Sequence, residues 1–276
     1  MNTLTRFSRG ERFGGLFLTI LMIAGIIASL GFLDDGVAID ISRRLLAPSS
    51  AHWMGTDALG RDVLSLICAG AASSLGIGIL AVLLGAAVGI PLGLVTAAKG
   101  GLISEAVSRG GDLVFAFPSL LLAVLLTAVL GPGAKTTILA IAVFNVPVFA
   151  RLVRGQCLSL MSRDFILSAR MSNRSTAAIA FDHLLPNVAG LIVIQIALQA
   201  SLAIVAESGL SYVGLGVQPP FASWGRMLAD AQSLVSVAPW LVAFPGSALM
   251  LAVLSFNLIA DAVSRRWSDR TPWLDA

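Results

Sequence analysis

The sequence predicts an all-α integral membrane protein with six transmembrane helices and both termini in the cytoplasm. Three observations carry this reading. Of 276 residues, 57% are hydrophobic and only 12% charged, with a mean hydropathy of +0.91, whereas an average soluble domain is about a quarter charged. Six uncharged stretches approach or exceed the roughly 20 apolar residues that cross a bilayer core. The basic residues bounding those stretches fall mainly on one side. The same composition excludes a disordered chain, a nucleic-acid-binding domain and a secreted disulfide scaffold, which need polar or cysteine-rich sequence.

The first stretch, 13–33, follows Arg6, Arg9 and Arg12 and so resembles a secretion signal. It is longer than a signal's apolar region and no A-x-A site closes it, so it reads as a retained anchor. Residues 34–72 form an external linker. The second span is placed at 73–97 within an uncharged run beginning at Val63, the remainder being an interfacial lead-in. Gly85, Gly89 and Gly93 repeat every four positions along it, the small-residue spacing that lets helix backbones approach closely. That face suits either packing within the chain or a second membrane subunit. The remaining spans are 113–130, 136–150, 188–206 and 238–260, the fourth being short and extended by a snorkelling Arg151. Residues 73–262 thus form a core of five spans, with a cytoplasmic loop 151–187, an external loop 207–237 and a cytoplasmic tail 263–276. Pro91, Pro118, Pro147, Pro239 and Pro245 lie in or near spans, where each frees a carbonyl and is able to kink its helix.

Charge tests the count, because a wrong number of spans would scramble the asymmetry. With both termini inside, the external side holds only Arg43, Arg44, Arg61, Lys135 and Arg226 of the 18 basic residues. It also holds Asp34, Asp35, Asp40, Asp57, Asp62, Glu207 and Asp230, which makes it net negative while the inside is net positive. Cys68 then faces outward and Cys157 inward, so no disulfide joins them. His52 and His183 also lie on opposite sides and supply no metal site.

The cytoplasmic loop reads as two short helices. Ser162 is placed to cap a helix carrying Asp164 in its first turn and Arg170 near its end, each matched to the helix dipole. Asn173 follows as a left-handed C′ residue. Ser175 caps a second helix with Ala177, Ala180, Phe181 and Leu184 on one face, stopped by Pro186. Such a face outside the bilayer wants a partner or a lipid surface. Outside, the glycine-punctuated segments around Trp53 and Trp224 serve as turns and interfacial anchors or bind an external partner.

Several mechanisms lack their residues. The two lysines, Lys99 and Lys135, follow Ala98 and Ala134, so no phosphate-cradling Gly-Lys-Ser/Thr occurs. No serine and histidine meet within the membrane as an intramembrane protease requires. The spans carry no paired carboxylates for a proton-driven carrier, Glu207 and Asp261 standing at span ends as interfacial charges. The chain is not read as an enzyme, and energy for uphill work comes from elsewhere. A non-transporting membrane scaffold and an ion-driven carrier remain the competing classes.

The chain resembles the C-type membrane permease subunit of bacterial ABC importers of the oligopeptide, dipeptide and nickel family. The resemblance rests on Gly55-Thr56-Asp57 and Gly60-Arg61-Asp62, on His183-Leu184-Leu185-Pro186-Asn187, on the run ESGLSYVGLGVQPP at 207–220, and on Trp224-Gly225. Phe244-Pro245-Gly246 and Phe256-Asn257-Leu258 before Asp261 also fit, so it covers nearly the whole chain. It implies a type I importer fold in the bacterial inner membrane, a second homologous permease, two ATP-binding subunits or domains that carry ATP and Mg, and an external solute-binding protein. It also implies that the cytoplasmic loop docks on an ATPase through Arg163, Asp164, Phe165, Leu167, Ser168, Ala169, Arg170, Asn173, Phe181, His183 and Pro186. The family pattern there is Glu-Ala-Ala, three residues, then Gly; this chain has Leu167, Ser168, Ala169 and Asn173, so the glutamate and the glycine are both replaced. The pathway is expected along span five at Gln195, Gln199, Glu207 and Ser208, the two glutamines sharing a face one turn apart. Trp53, Asp57, Arg61, Gln218 and Trp224 are expected to meet the binding protein. The solute is read as a peptide, with nickel or another chelated metal as the alternative.

Overall fold

The computed structural model describes residues 9–31 and 34–268. Arg6, Arg270, the end of the first expected span at Leu33 and the tail beyond 268 lie outside the described residues.

The described chain is helical, apart from turns and one isolated bridge between Thr56 and Asp62. In order come α1 (Arg9–Ser29), the short α2 (Asp34–Val37), α3 (Val63–Lys99), α4 (Gly101–Ala116), α5 (Ser119–Leu130), α6 (Ala134–Leu160), α7 (Asp164–Met171), α8 (Thr176–Ile179), α9 (Leu185–Tyr212), α10 (Trp224–Ala231) and α11 (Trp240–Ser268). Helices α1, α3, α6, α9 and α11 are long and apolar enough to cross a membrane, and α4 with α5 makes a sixth crossing if the bent pair is one span.

Five of the six expected spans are longer or more broken than their apolar cores, α9 and α11 running to Tyr212 and Ser268 past their expected ends at Ala206 and Ala260. Helix α3 starts at Val63, where the Asp62 carboxylate accepts from the Ser65 N–H at 2.9 Å, and runs unbroken through Pro91. The expected lead-in is therefore part of the helix. Helix α6 passes its expected end at Ala150 by almost three turns. The expected span 113–130 is two helices meeting at 89°. Phe117, forced into extended backbone (φ −98°, ψ 134°) by the following Pro118, is the break. Helix α4 begins at Gly101, whereas the expected span began at 113 because Glu105, Arg109 and Asp112 interrupt the hydropathy without interrupting the backbone.

Small residues set the packing. A Cβ on Gly85, Gly89 or Gly93 would lie within 3 Å of α6 backbone or side-chain atoms, so the glycine stripe is spent inside the chain. Gly190 of α9 sits under the Trp267 ring of α11. Helix α1 crosses α3 where Gly25 meets Ala72, and Glu11 pairs with Arg265 of α11 at 2.5 Å. Its outer face, with Leu16, Ile20 and Ile26, is bare and suited to lipid.

Candidate functional site

The cytoplasmic turn is built by local backbone chemistry. Asn173 has φ +54°, the Asn173 N–H donates to Arg170 O, and the Arg174 N–H reaches Ala169 O at 3.3 Å. That pair of bonds is a Schellman motif with Asn173 at C′. Ser175 caps α8 by accepting from the Ala178 N–H at 3.2 Å. Ser162 does not cap α7: its hydroxyl donates to Ser159 O, and the N-cap is Arg163 with no side-chain bond. Asp164 and Arg170 do occupy the first and last turns of α7.

Pro186 does not end the second helix. Residues Ala180–Leu184 widen into a π-helical turn that feeds directly into α9 with Pro186 in its first turn, where a missing N–H is harmless. The Asn187 amide donates to His183 O at 2.7 Å. The wide turn also changes which residues share a face. Ile179, Ala180 and Leu184 are buried with Ile166 and Leu160, while Ala177 and Phe181 face outward. Phe181 is 63% exposed and Met171 89%, with Leu167 and Phe165 also exposed on α7. Phe165 stands edge-on to His183, and Arg174 bridges to Asp182 at 2.7 Å. Ser168 accepts at its carbonyl from Ser172 Oγ, and Ala169 packs on the buried cluster beneath.

Of the expected pathway residues, Gln199 is buried and Gln195 half-buried. Gln199 lines a cavity of about 380 Å³ between α5, α6 and α9. Glu207 and Ser208 are not in that cavity, and Glu207 is no interfacial charge. It is fully buried, accepting from Ser211 Oγ at 2.7 Å and Ser208 Oγ at 3.4 Å. The reason is that residues 213–231 fold back over the outer end of α9, bringing Gly225 onto the Ser208 carbonyl. Sequence reasoning missed Asn145 of α6, which lines the same cavity as Gln199 and is 4% exposed.

The external residues separate likewise. Trp53 is 74% exposed. Asp57 accepts from the Leu59 and Arg61 N–H groups and pairs with the Arg61 guanidinium at 2.7 Å, closing a turn whose Gly55 and Gly60 both have φ +77°. The Gln218 amide donates to the Gly214 and Gly216 carbonyls. Trp224 is completely buried against Gly70, its indole N–H donating to Ile67 O at 3.0 Å and its backbone N–H to Ser74 Oγ at 3.2 Å. It anchors the external segment to α3 and offers nothing to an outside partner.

Comparison with known proteins places this architecture. Residues 89–269 match the model of the family described as binding-protein-dependent transport system inner membrane component. The chain is 40% identical over 250 residues to the dipeptide transport system permease protein of Alkalihalophilus pseudofirmus, covering 91% of this chain and 82% of that one. It is also 40% identical over 250 residues to the glutathione transport system permease protein of Pectobacterium atrosepticum, covering 90% and 83%. The chain therefore belongs to the binding-protein-dependent transport system inner membrane components, and is a multi-pass permease subunit of that family.

Proposed function

We propose that this chain forms half of the translocation pathway of an ATP-driven importer of small peptides. The other parts are a second homologous permease, two ATP-binding subunits that hold ATP and Mg, and an external binding protein that delivers the solute. The observation that carries the coupling role is the helix–turn–helix around Asn173, which leaves Leu167, Met171 and Phe181 bare outside the membrane on a backbone fixed by its own hydrogen bonds. A bare apolar surface of this kind calls for a protein partner. Family membership supports an ATPase as that partner, with Phe165, Arg170 and His183 beside the turn. The peptide class is supported by relatives named for a dipeptide and for glutathione, itself a tripeptide. Nickel or a metal chelate is the less favoured solute.

Reconstitution tests this. Affinity purification of the chain from its native membrane is expected to bring down a second permease and ATP-binding chains. The complex in proteoliposomes should take up labelled dipeptide only with ATP and loaded binding protein, and the chain alone should hydrolyse no ATP. Robust uptake by the isolated chain would reject the reading in favour of a carrier.

A further inference from the structure

Helix α6 has open space on two opposite sides. Its Ala140, Ile141, Phe144 and Asn145 line the cavity shared with α5 and α9. At about 100° per residue, Lys135, Leu139, Val143 and Val146 fall on the other side of the helix, where they line a groove of about 480 Å³ against Leu84 and Val88 of α3. Leu84 and Val88 each precede a glycine of the α3–α6 contact, so the groove is the outer seam of that contact. Apart from Lys135, every lining side chain is aliphatic, and Leu84, Val88 and Leu139 are exposed.

Charge and depth identify what suits this seam. Lys135 stands exposed in the first turn of α6, and its ammonium forms no ion pair or hydrogen bond among the described residues. A cation at that end opposes the helix dipole, so helix stability does not account for it. Lys135 and Arg151 bound the uncharged part of α6 and are about 24 Å apart at 1.5 Å per residue, close to the ~30 Å hydrocarbon core of a bilayer. By the same measure Val146 is about 16 Å below Lys135, so the groove runs from the bilayer edge to its midplane. It is one leaflet deep. In the charge-derived orientation that leaflet is the external one. A helix of another subunit would cross both leaflets, whereas a lipid tail ends where this groove ends.

We propose that the α3–α6 groove binds one anionic phospholipid of the outer leaflet, with its phosphate on the Lys135 ammonium and one acyl chain along Leu139, Val143 and Val146. A zwitterionic headgroup brings its own cation beside Lys135, so a headgroup of net negative charge is preferred. The lipid covers the aliphatic trough and supplies the lysine with a counter-ion in the same act.

The test is photocrosslinking of the purified, assembled complex in mixed micelles, using subsaturating phosphatidylglycerol with a diazirine midway along one acyl chain. Peptide mass spectrometry is expected to place the adduct on residues 139–146 of α6 and near Val88 of α3. Unlabelled phosphatidylglycerol should compete at about fivefold lower concentration than phosphatidylcholine of the same chains, the worth of one basic residue at an anionic membrane surface. Lys135→Gln should cut the adduct to about one-fifth and abolish the preference, whereas Lys135→Arg should keep both. Lys135 is exposed, so neither change disturbs the core. Equal competition by the two lipids, or full labelling of Lys135→Gln, would mean ordinary boundary lipid and overturn the proposal. It is also overturned if α3 and α6 carry no adduct, since another subunit then covers the seam, or if glycerol phosphate displaces the probe as well as phosphatidylglycerol does, since the anion alone is then recognised.

Discussion

Two residues show how differently side-chain roles are encoded. Asn173 holds φ +54° at the end of α7, a conformation open to Gly and reachable by Asn but costing a β-branched residue about 1–2 kcal/mol. Asn173→Gly should keep dipeptide-stimulated ATP hydrolysis in the reconstituted complex. Asn173→Val should insert at normal abundance but lose that stimulation, because α8 is then misaimed. Normal uptake by the valine variant at normal expression would dissociate this turn from coupling. Trp224 works by burial instead. Trp224→Ala removes a fully buried indole and its hydrogen bond to the Ile67 carbonyl, which should cost about 3–5 kcal/mol. The measurement is thermal unfolding of the purified complex. A melting temperature unchanged by the alanine would mean that the external segment is not anchored through this ring. Asn173 was readable from sequence because a C′ residue depends on a few neighbouring hydrogen bonds. The burial of Trp224 and Glu207 was not, since it depends on residues 213–231 folding back over the end of α9 and onto α3, 150 residues away in the chain.

At the level of elements, the same helix holds glycines of opposite kind. Gly89 of α3 meets Val146 O and Phe149 Cβ at distances no methyl tolerates, whereas Gly76 has open space around it. Gly89→Ala should push α3 off α6 and destabilise by about 1–3 kcal/mol. Gly76→Ala should be neutral or stabilise by up to about 1 kcal/mol, since it removes only backbone freedom from a helix interior. Unfolding midpoints of the two variants in one detergent decide the matter, and equal shifts would contradict the α3–α6 contact. The zipper spacing was visible in sequence because it is a period along one helix; its partner was not. Spans 113–130 and 136–150 were mis-sized for a related reason. Charges such as Asp112 and Arg151 cut the hydropathy signal, yet they pair with each other at 2.5 Å and the helices run on past them. Pro118 was visible as a kink site, but the 89° turn it makes depends on α6 receiving both halves.

For the whole molecule, topology is the property most directly testable. Cys157 is fully buried and so cannot report sidedness, although its level is cytoplasmic in the six-span reading. Trp53 and Met171 are better reporters, being among the most exposed residues of opposite loops. In a chain lacking its own cysteines and expressed without the ATP-binding subunits that would cover Met171, Trp53→Cys should react with an impermeant maleimide in intact spheroplasts and Met171→Cys only after lysis. The reverse pattern would invert the charge-derived orientation.

Helices α8 and α9 and the π turn joining them have a consequence for motion. Residues 176–212 form one helical stretch of 37 residues, roughly 55 Å long at 1.5 Å per residue. One end carries Phe181 beside the cytoplasmic turn, the other carries Glu207 clasped by serines under the external segment, and Gln199 lies between them. Such a rod is a seesaw. A tilt of about 10° around its midpoint sweeps each end through roughly 5 Å in opposite directions, so drawing Phe181 toward the centre of the assembly swings Glu207 away from it. In the importer proposed above, such a tilt would make opening on one side of the membrane and closing on the other a single displacement, with the stiffness of this one helix setting how faithfully the two stay out of phase.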